Sequence, residues 1–366
     1  MKKIVIDARN MPTSTGRYVE MLVRYLEKID NGHQYLVLMY PDKMDKWQPT
    51  NPNFEAVSCP YKEYSFAEQI GLKKQLEELC PDLVHFSMVQ QPVWYHGTVV
   101  TTMQDLTTVR FRNPAKNWLA FTIKRWVYIW VNKRVARKSA ALITPSDFVR
   151  QDVAAFTHVS PDKITVTHEA ADDFDEPPAE MPFFADKTFV MADGRPRPHK
   201  NLRRVIEAFA ILHEKYPDLY LMLTGKRDDS YGPYERLIES LGLQDHVVQT
   251  DFIPDGELKW AMQHAKAYIW PSLSEGFGLP PLEAMLQGAP VASSTATCMP
   301  EVLGNAAHYF DPHDTKDMAR AIEDLVTNPA LRETLIQKGK QQVASYSWQR
   351  MAEQTLDVYK KVLDER

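Results

Sequence analysis

Two glutamates lie on either side of a glycine-rich turn in SLSEGFGLPPLEAMLQGAP, residues 272–290. Glu275 precedes the turn, and Glu283 lies eight positions later in a segment whose Pro280 and Pro281 suit the first turn of a helix. The free backbone N–H groups of such a helix start favour binding of a phosphate. Because carboxylates repel a phosphate, the neighbouring glutamates are expected to bind neutral hydroxyls. A ligand with both groups is a sugar nucleotide. Taken singly, neither glutamate requires a ligand. Glu283 is explained equally well as a first-turn residue that satisfies the helix dipole, and Glu275 as a loop charge.

A pair of basic residues strengthens the phosphate hypothesis. Arg195 and Lys200 follow an apolar run in MADGRPRPHKN, in a loop expected at the carboxyl end of a parallel sheet, the rim that also carries Glu275. The donor fork of arginine and the compact charge of lysine can together neutralise a diphosphate. Because basic loop residues are usually just solvated, the hypothesis depends on their sharing this rim with the glutamates.

Short apolar runs typical of strands alternate along the chain with segments of helical periodicity. These strands and helices must position the residues named above. This alternation predicts an α/β fold of two Rossmann-like domains with parallel sheets, facing across a cleft that is the expected ligand site. The first domain is predicted over 1–171, an acidic proline-rich linker over 172–186, and the second domain over 187–345. The amphipathic segment 346–366 is expected to pack back on the first domain. The predicted strands are 4–7, 35–39, 82–86, 98–103, 141–144, 164–168, 188–192, 219–225, 246–250, 267–270 and 290–294.

Composition narrows the class of protein. A chain of 366 residues fits about two domains, and its net charge of −5 argues against a general nucleic-acid binder. The three cysteines have neither metal-ligand nor disulfide spacing, which fits a reducing cytoplasm. The apolar run at the start, residues 4–6, is too short for a signal peptide or an anchor.

Several longer motifs carry a family resemblance. The series GR…KN, LTG, PSLSEGFGLPPLEAMLQGAPV and MPEVLGNAAHYFDP is similar to that of the retaining glycosyltransferases of family four, which have the GT-B fold. DARNMPTSTGRYVEMLVRYL resembles the start of their acceptor-binding domain, and ITPSDFVRQDV resembles a later helix junction. The resemblance covers nearly the whole chain and is most specific in the glutamate motif.

The resemblance implies a role for each matching residue. Arg195 and Lys200 would bind the donor diphosphate, Glu275 the hydroxyls of the donor sugar, and Glu283 the ribose. Further donor contacts would come from the flexible first loop and from the turn between the glutamates, namely Gly16, Phe277, Gly278 and Leu279.

One segment departs from the family pattern. Where the family usually has His-Asp, this chain has Gln104 followed by Asp105. Glutamine can hydrogen-bond a sugar hydroxyl but cannot take up a proton near neutral pH. Either the histidine is no proton carrier in this type of enzyme, or the protein has a changed donor or is inactive. We favour the first explanation, because in the family's proposed front-face mechanism the leaving phosphate accepts the acceptor's proton.

The expected activity is therefore metal-independent, retaining transfer of a hexosyl group from a nucleoside-diphosphate sugar to a hydroxyl of a glycan or lipid-linked acceptor, with no cofactor. GDP-mannose is the first choice of donor, followed by UDP-glucose and UDP-N-acetylglucosamine. A nucleotide-sugar epimerase of the same architecture and a catalytically silent sugar-nucleotide binding protein are the alternatives. The carboxylates of DDFD, residues 172–175, lie in the predicted linker and are not expected to bind a metal. His85, near a strand end, is either a cleft residue or a core histidine.

A basic and aromatic stretch remains outside this scheme. Residues 106–146 contain nine basic residues and no acidic ones, and five aromatic residues besides Phe111 interleave with them. A helix over 113–138 would bring Trp118, Arg125, Trp130 and Lys133 towards one face. Such a face suits anionic lipid on the inner membrane side, through residues 110–138; a helix with buried aromatics and solvated charges is the equal alternative. No base-reading module accompanies the stretch. The basic residues are Arg110, Arg112, Lys116, Lys124, Arg125, Lys133, Arg134, Arg137 and Lys138, and the aromatic ones are Trp118, Phe121, Trp126, Tyr128 and Trp130.

Overall fold

The computed structural model describes residues 1–13, 16–111, 118–227 and 230–365, without the side chains of 118–121 and 123. The chain divides into two compact units. The first comprises Met1–Val109, Trp118–Glu169 and Ser347–Arg366, and the second comprises Arg110–Asn117 and Ala170–Tyr346. Residues 172–186, predicted as a linker, are part of the second unit.

The first unit is built on a parallel sheet of seven strands in the order β3-β2-β1-β4-β5-β6-β7. Its strands are β1 (Lys2–Asp7), β2 (His33–Met39), β3 (Phe54–Ser58), β4 (Leu83–Phe86), β5 (Val99–Thr102), β6 (Ala141–Thr144) and β7 (Ile164–Val166). Its helices are α1 (Arg17–Ile29), α2 (Lys73–Leu79), α3 (Thr107–Arg110), α4 (Trp118–Lys138), α5 (Asp147–Thr157) and α13 (Trp348–Asp364), with a π-helical turn at Glu68–Leu72 and 3-10 turns at Pro41–Lys46 and Pro161–Lys163.

The core of this unit follows the sequence periodicity. Four apolar residues at helical spacing on α1 are fully buried, namely Val19, Leu22, Val23 and Leu26. Strand β1 lies inside the sheet and runs parallel to β2 on one side and to β4 on the other. Strands buried on both faces read as continuous apolar runs, which explains why this part of the sheet was predictable.

Helix α13 also belongs to the first unit and packs beside α1. Its Tyr359 hydroxyl lies 2.5 Å from Nδ1 of His85, whose Nε2 lies 2.8 Å from the Thr102 hydroxyl. His85 is fully buried, and burial lowers its pKa to about 3, so the ring stays neutral. Of the two interpretations of His85, the core histidine is confirmed.

The second unit contains a parallel sheet of six strands in the order β10-β9-β8-β11-β12-β13. Its strands are β8 (Thr188–Asp193), β9 (Leu219–Thr224), β10 (Val247–Gln249), β11 (Tyr268–Trp270), β12 (Val291–Ser294) and β13 (Ala307–Phe310). Its helices are α6 (Leu202–Lys215), α7 (Gly232–Ser240), α8 (Asp255–His264), α9 (Leu279–Leu286), α10 (Met299–Leu303), α11 (Thr315–Thr327) and α12 (Pro329–Val343), with a 3-10 turn at Pro198–Lys200.

The prediction of two Rossmann-like domains with parallel sheets is confirmed. All eleven predicted strands are present, with ends that differ by at most two residues. The sequence interpretation missed β3 and β13, which are both edge strands. Each is only partly buried, so neither has the unbroken apolar run that marks the central strands.

Candidate active site

The glycine-rich turn forms a strand–loop–helix junction in the second unit. Strand β11 ends at Trp270, and α9 begins at Leu279 with two prolines in its first turn, as their position in the sequence indicates. Gly278 caps the helix with φ +91°, and a Cβ there would lie 2.5 Å from the methyl carbon of Met299. A residue with a side chain would therefore be both strained and crowded at the point where the α9 N-terminus begins.

Lys200 and Glu275 form the central contact of the site. Lys200 ends the 3-10 turn after β8, and its Nζ lies 2.8 Å from Oε1 of Glu275 in the loop after β11. The same Nζ lies 4.3 Å from the centre of the Trp270 ring. The two charged side chains are 20% and 15% exposed, so the pair is sheltered but open to a ligand. The structure thus brings together two residues that the sequence placed on one sheet rim.

Backbone and thiol contacts hold the two loops in place. The Leu273 N–H donates to the carbonyl oxygen of His199 over 2.7 Å, which ties the loop of Glu275 to that of Lys200. The Thr297 hydroxyl accepts from the Glu275 N–H over 3.2 Å. The Cys298 thiol donates to the carbonyl oxygens of Glu275 and Phe277 at 3.4 and 3.5 Å. These contacts fix the backbone between the two glutamates.

Glu283 lies in α9, one turn after its start, and is 8% exposed. Its carboxyl lies close enough to the buried Tyr268 hydroxyl to help raise the pKa of that group. Glu283 therefore lies beyond the first turn of α9, where the helix dipole acts, and its carboxylate is chemically suited to accept hydrogen bonds from hydroxyls.

Of the predicted donor contacts at the turn, Phe277 is buried and Leu279 is partly exposed. The Phe277 ring is 3% exposed and meets Tyr346 edge to face at 5.2 Å between ring centres, while Leu279 is partly exposed as the first residue of α9. The side chain of Phe277 therefore anchors the turn, and only its backbone can contact a ligand.

Asp193 and Tyr268 are site residues that the sequence interpretation missed. Asp193 is the last residue of β8, and burial raises the pKa of its carboxyl while the charge of Lys200 opposes the rise. Burial, followed by the carboxyls of Asp193 and of both glutamates, raises the pKa of Tyr268, so this phenol stays protonated. The only sequence signal was an acidic residue at a strand end directly before a glycine.

Arg195 follows Gly194, whose φ is +121°. Its side chain is exposed and makes no ion pair or side-chain hydrogen bond with any residue that the structure describes. It therefore keeps its full set of donors for a ligand. The Trp270 Nε1, although buried, likewise has no hydrogen-bond partner within the described ranges.

The two remaining predicted donor contacts lie in the first unit. Gly16 precedes α1, and a Cβ there would lie 2.2 Å from the carbonyl oxygen of Asn10, so close backbone packing alone requires glycine. Gln104 follows β5 and is partly exposed. Lys200 belongs to the second unit.

The DDFD carboxylates, residues 172–175, are part of the second unit's own packing. Asp173 accepts from the Lys259 ammonium over 2.9 Å and from the Gln287 amide over 2.7 Å. These bonds give the Asp173 carboxylate a structural role beside α8 and α9.

Helix α4 exposes two residues of the predicted face, Arg125 and Trp130. Arg125 donates through Nε to the carbonyl oxygen of Val109 over 2.8 Å, and the Lys133 ammonium lies 5.3 Å from the centre of the Phe156 ring. Trp126 and Trp130, one turn apart, are 69% and 48% exposed. Arg112, Lys116 and the side chains of Trp118 and Phe121 lie outside the described part of the chain. None of the helices within the described ranges combines the length and apolar character that crossing a bilayer demands.

The geometry can perform one kind of chemistry well. Arg195 and Lys200 lie in the loop after β8, and Glu275 and the start of α9 lie in the junction after β11, so basic groups, a carboxylate and a helix N-terminus belong to one sheet edge. Cations and helix N-termini stabilise negative charge that grows on a leaving phosphate, and they do so most strongly where water is partly excluded.

Comparison with known proteins agrees with this chemistry. Residues 15–173 match the family model Glycosyltransferase Family 4, and residues 173–342 match the model Glycosyl transferases group 1. O-antigen chain mannosyltransferase B of Escherichia coli is 30% identical over 231 residues, 60% of this chain and 60% of that protein. MMP alpha-(1->4)-mannosyltransferase of Mycolicibacterium hassiacum is 31% identical over 265 residues, 68% of this chain and 61% of that protein. The chain thus spans about three fifths of the length of each relative.

Solved structures share the whole fold. Sucrose-phosphate synthase of Thermosynechococcus elongatus superposes with a TM-score of 0.78 and 18% identity, over 100% of both chains. HepE of Anabaena, in complex with UDP-glucose, superposes with a TM-score of 0.74 and 14% identity, over 99% of this chain and 100% of the other. The fold is therefore GT-B.

Proposed function

We propose that this chain, which has the GT-B fold and matches glycosyltransferase models along residues 15–342, is a glycosyltransferase that moves a mannosyl group from a nucleoside-diphosphate sugar to a hydroxyl of a glycan or lipid-linked acceptor. Two of its relatives are named as mannosyltransferases, which supports mannose as the sugar. GDP-mannose is our first choice of donor. The complex of HepE with UDP-glucose keeps uridine donors in the test set.

The observation that carries the proposal is the sheltered contact between Lys200 and Glu275 beside the start of α9. A bound diphosphate would give the Lys200 ammonium a second anion, to which Arg195 would add its guanidinium. Glu275 would then turn to the hydroxyls of the donor sugar, and Glu283 would bind the ribose.

We propose a retaining, metal-independent reaction. Negative charge grows on the leaving diphosphate in the transition state, where Arg195, Lys200 and the α9 N-terminus would stabilise it without a metal ion. The leaving phosphate would accept the proton of the attacking hydroxyl on the same face of the sugar. This route leaves Gln104 a hydrogen-bonding role, because an amide carries no proton at neutral pH.

A panel of nucleotide sugars tests the proposal. The true donor should stabilise the protein against heat by mass action and should release nucleoside diphosphate when an acceptor saccharide is added. NMR of the product reports the anomeric configuration, and a chelator should leave the rate unchanged. Donor epimerisation without transfer would support an epimerase instead, and binding without any turnover would support a silent sugar-nucleotide binding protein.

We also propose that the first unit docks on an anionic membrane surface at the cytoplasmic side. The exposed Trp126 and Trp130 lie on α4 with Arg134 one turn further on, and Trp94, itself 52% exposed, lies 6.1 Å from Trp130 between ring centres. Tryptophan prefers the headgroup region of a membrane. The charged residues of the stretch 106–146 are all basic, which complements the charge of anionic lipid.

Co-sedimentation with vesicles tests this surface. Binding should require anionic lipid, weaken as the Debye length falls from ~10 Å at 0.1 M to ~3 Å at 1 M salt, and fall further in Trp126→Ser/Trp130→Ser. Equal, negligible binding to anionic and neutral vesicles at low salt would assign the exposed tryptophans another role.

A further inference from the structure

Trp270 is a buried side chain next to the cation of the candidate site, and the proposed reaction gives it no role. It is the last residue of β11, where it pairs in register with Ser293 of β12, and it is 1% exposed. The Lys200 ammonium lies over its ring, 4.3 Å from the ring centre. A cation at this distance from an indole face is attracted by the ring quadrupole, and among aromatic side chains tryptophan attracts cations most strongly.

Hydrogen bonds fix the backbone that carries Lys200 against the segment that follows β11. The Leu273 N–H donates to the carbonyl oxygen of His199 over 2.7 Å. The buried side-chain amide of Asn201 donates to the carbonyl oxygen of Pro271 over 3.1 Å. Because the residues on both sides of Lys200 are tied to this segment, the torsions of the lysine stem decide where the ammonium lies.

Two contacts restrain those torsions, and donor binding would affect them differently. Glu275 lies 2.8 Å from the ammonium, but its carboxylate is also the proposed partner of the donor sugar's hydroxyls, so this contact would be exchanged when a donor binds. The Trp270 ring is buried on a strand that lies inside the sheet, between β8 and β12. The indole face can therefore keep the ammonium in place after the carboxylate has turned to the sugar.

The edge of the Trp270 ring supports a role for its face. Within the described ranges, the buried Nε1 of Trp270 has no hydrogen-bond partner. A buried donor without a partner costs free energy, which a phenylalanine or a leucine at this position would avoid. The indole thus contributes through its electron-rich face and not through its N–H group.

We propose that Trp270 is a positioning residue, which holds the Lys200 ammonium over its indole face so that the cation stays beside the leaving diphosphate while Glu275 binds the donor sugar. The inference rests on the proposed function. A neutral aromatic face suits this role, because it restrains a cation without cancelling the charge that stabilises the leaving phosphate.

A series of fluorinated tryptophans, placed at position 270 alone, tests the indole face. Fluorine withdraws electron density from the face and weakens its attraction for a cation, while the shape of the ring is nearly kept. The logarithm of kcat should fall in proportion to the number of fluorines, by ~10-fold over the series, and the donor KM should stay within about threefold. The same series at Trp260, a buried tryptophan of α8, is the matched control and should leave kcat unchanged. A kcat that does not depend on fluorination at position 270 would overturn the proposal.

Substitutions show whether Trp270 acts through Lys200. Trp270→Phe keeps a weaker aromatic face and should lose ~3-fold in kcat, whereas Trp270→Leu removes the face and should lose ~10-fold. Added to Lys200→Met, Trp270→Leu should cost nothing further in kcat, because residues that act as one unit are not additive. Equal losses in the two single variants, or an additive loss in the double variant, would mean that Trp270 has only a packing role. If Trp270→Leu does not fold, the fluorinated series still decides.

A readout without turnover separates this inference from the proposed function. Absence of transfer by the parent protein with every donor would refute the proposed function alone. In the free protein, the ring current of Trp270 should shift the ε-methylene proton resonances of Lys200 upfield of the ordinary lysine position. The resonances should stay upfield in Glu275→Gln, which removes the charge of the carboxylate partner. Their return to the ordinary position in Glu275→Gln would show that the carboxylate holds the ammonium and would refute the role of Trp270.

Discussion

Lys200→Met would remove the ammonium of the candidate site while keeping most of the stem that lies beside Trp270. The lost Nζ is 2.8 Å from Oε1 of Glu275 and 4.3 Å from the centre of the Trp270 ring. A unit charge pair ~4 Å apart interacts by ~4 kcal/mol at an effective dielectric constant of ~20. Removing a contact of this kind from a leaving phosphate should slow kcat by ~10²–10³-fold, since such donors contribute ~3–4 kcal/mol in the transition state.

Stability should respond in a different way from activity. Breaking a fully buried pair costs ~3–5 kcal/mol, but these side chains are 20% and 15% exposed, so water lowers the expected loss to ~1–3 kcal/mol. The loss arises because Glu275 and the neighbouring Asp193 are left without their cation. Glu275→Gln, added to Lys200→Met, removes the unpaired charge and should restore stability without restoring transfer.

Urea unfolding and initial rates of nucleoside-diphosphate release measure the two effects. Lys259→Met is the matched control, because Lys259 pairs with Asp173 at 2.9 Å in the same unit and should lose stability without losing kcat. Parental turnover in Lys200→Met, or recovery of both activity and stability in the double variant, would show that the pair is only structural.

Three further predictions concern the same chain. Gly288→Ala should lower the free energy of unfolding by ~1–2 kcal/mol, because the φ of Gly288 is +81°. Gly278→Ala should lower it more in urea unfolding and should also weaken donor binding, because Gly278 has a φ of +91° and a Cβ there would meet Met299. Equal effects of the two variants would contradict a special role of the turn. Glu283→Ala should weaken the binding of free nucleotide and of donor alike in calorimetry. Glu275→Ala should lower turnover and leave nucleotide affinity unchanged. The reverse pattern would exchange the roles of the two glutamates. The pKa of His85 is about 3 in the folded protein against ~6.5 unfolded, so protonation of the unfolded chain should remove stability as the pH falls from 6.5 to 3. His85→Gln should flatten that part of the stability profile, and an unchanged slope would assign acid unfolding to other groups.

The central sheets and the junction after β11 were predictable because their signals are local. Buried parallel strands leave continuous apolar runs, and prolines after a glycine turn mark a helix start. Lys200 and Glu275 could be placed on one rim because parallel strands end on the same edge of a sheet. Local pattern was enough for that placement.

Other site features depend on contacts that no local pattern contains. Tyr268 lies within an apolar run, and only the strand register turns its hydroxyl toward Asp193. Gln104 was visible as a departure from the family pattern, but no local pattern shows that the buried Glu169, which follows a different strand, lies near it. On α4, helical spacing alone does not show that Arg125 bonds the Val109 carbonyl oxygen or that Lys133 lies over the Phe156 ring.

Helix α13 is part of the first unit but is synthesised after the second unit, which constrains cotranslational folding of the chain. The bond between His85 and Tyr359 joins residues 274 positions apart, and at ~5–20 residues per second their synthesis is separated by roughly 15–55 s. During that time the contiguous segment 170–346 can emerge and fold. The sheet that includes β1 and β4 must wait, with the surface that α13 will cover still open to water. Nascent-chain chaperones therefore have a target on this unit, whose chain begins before the second unit and is completed after it.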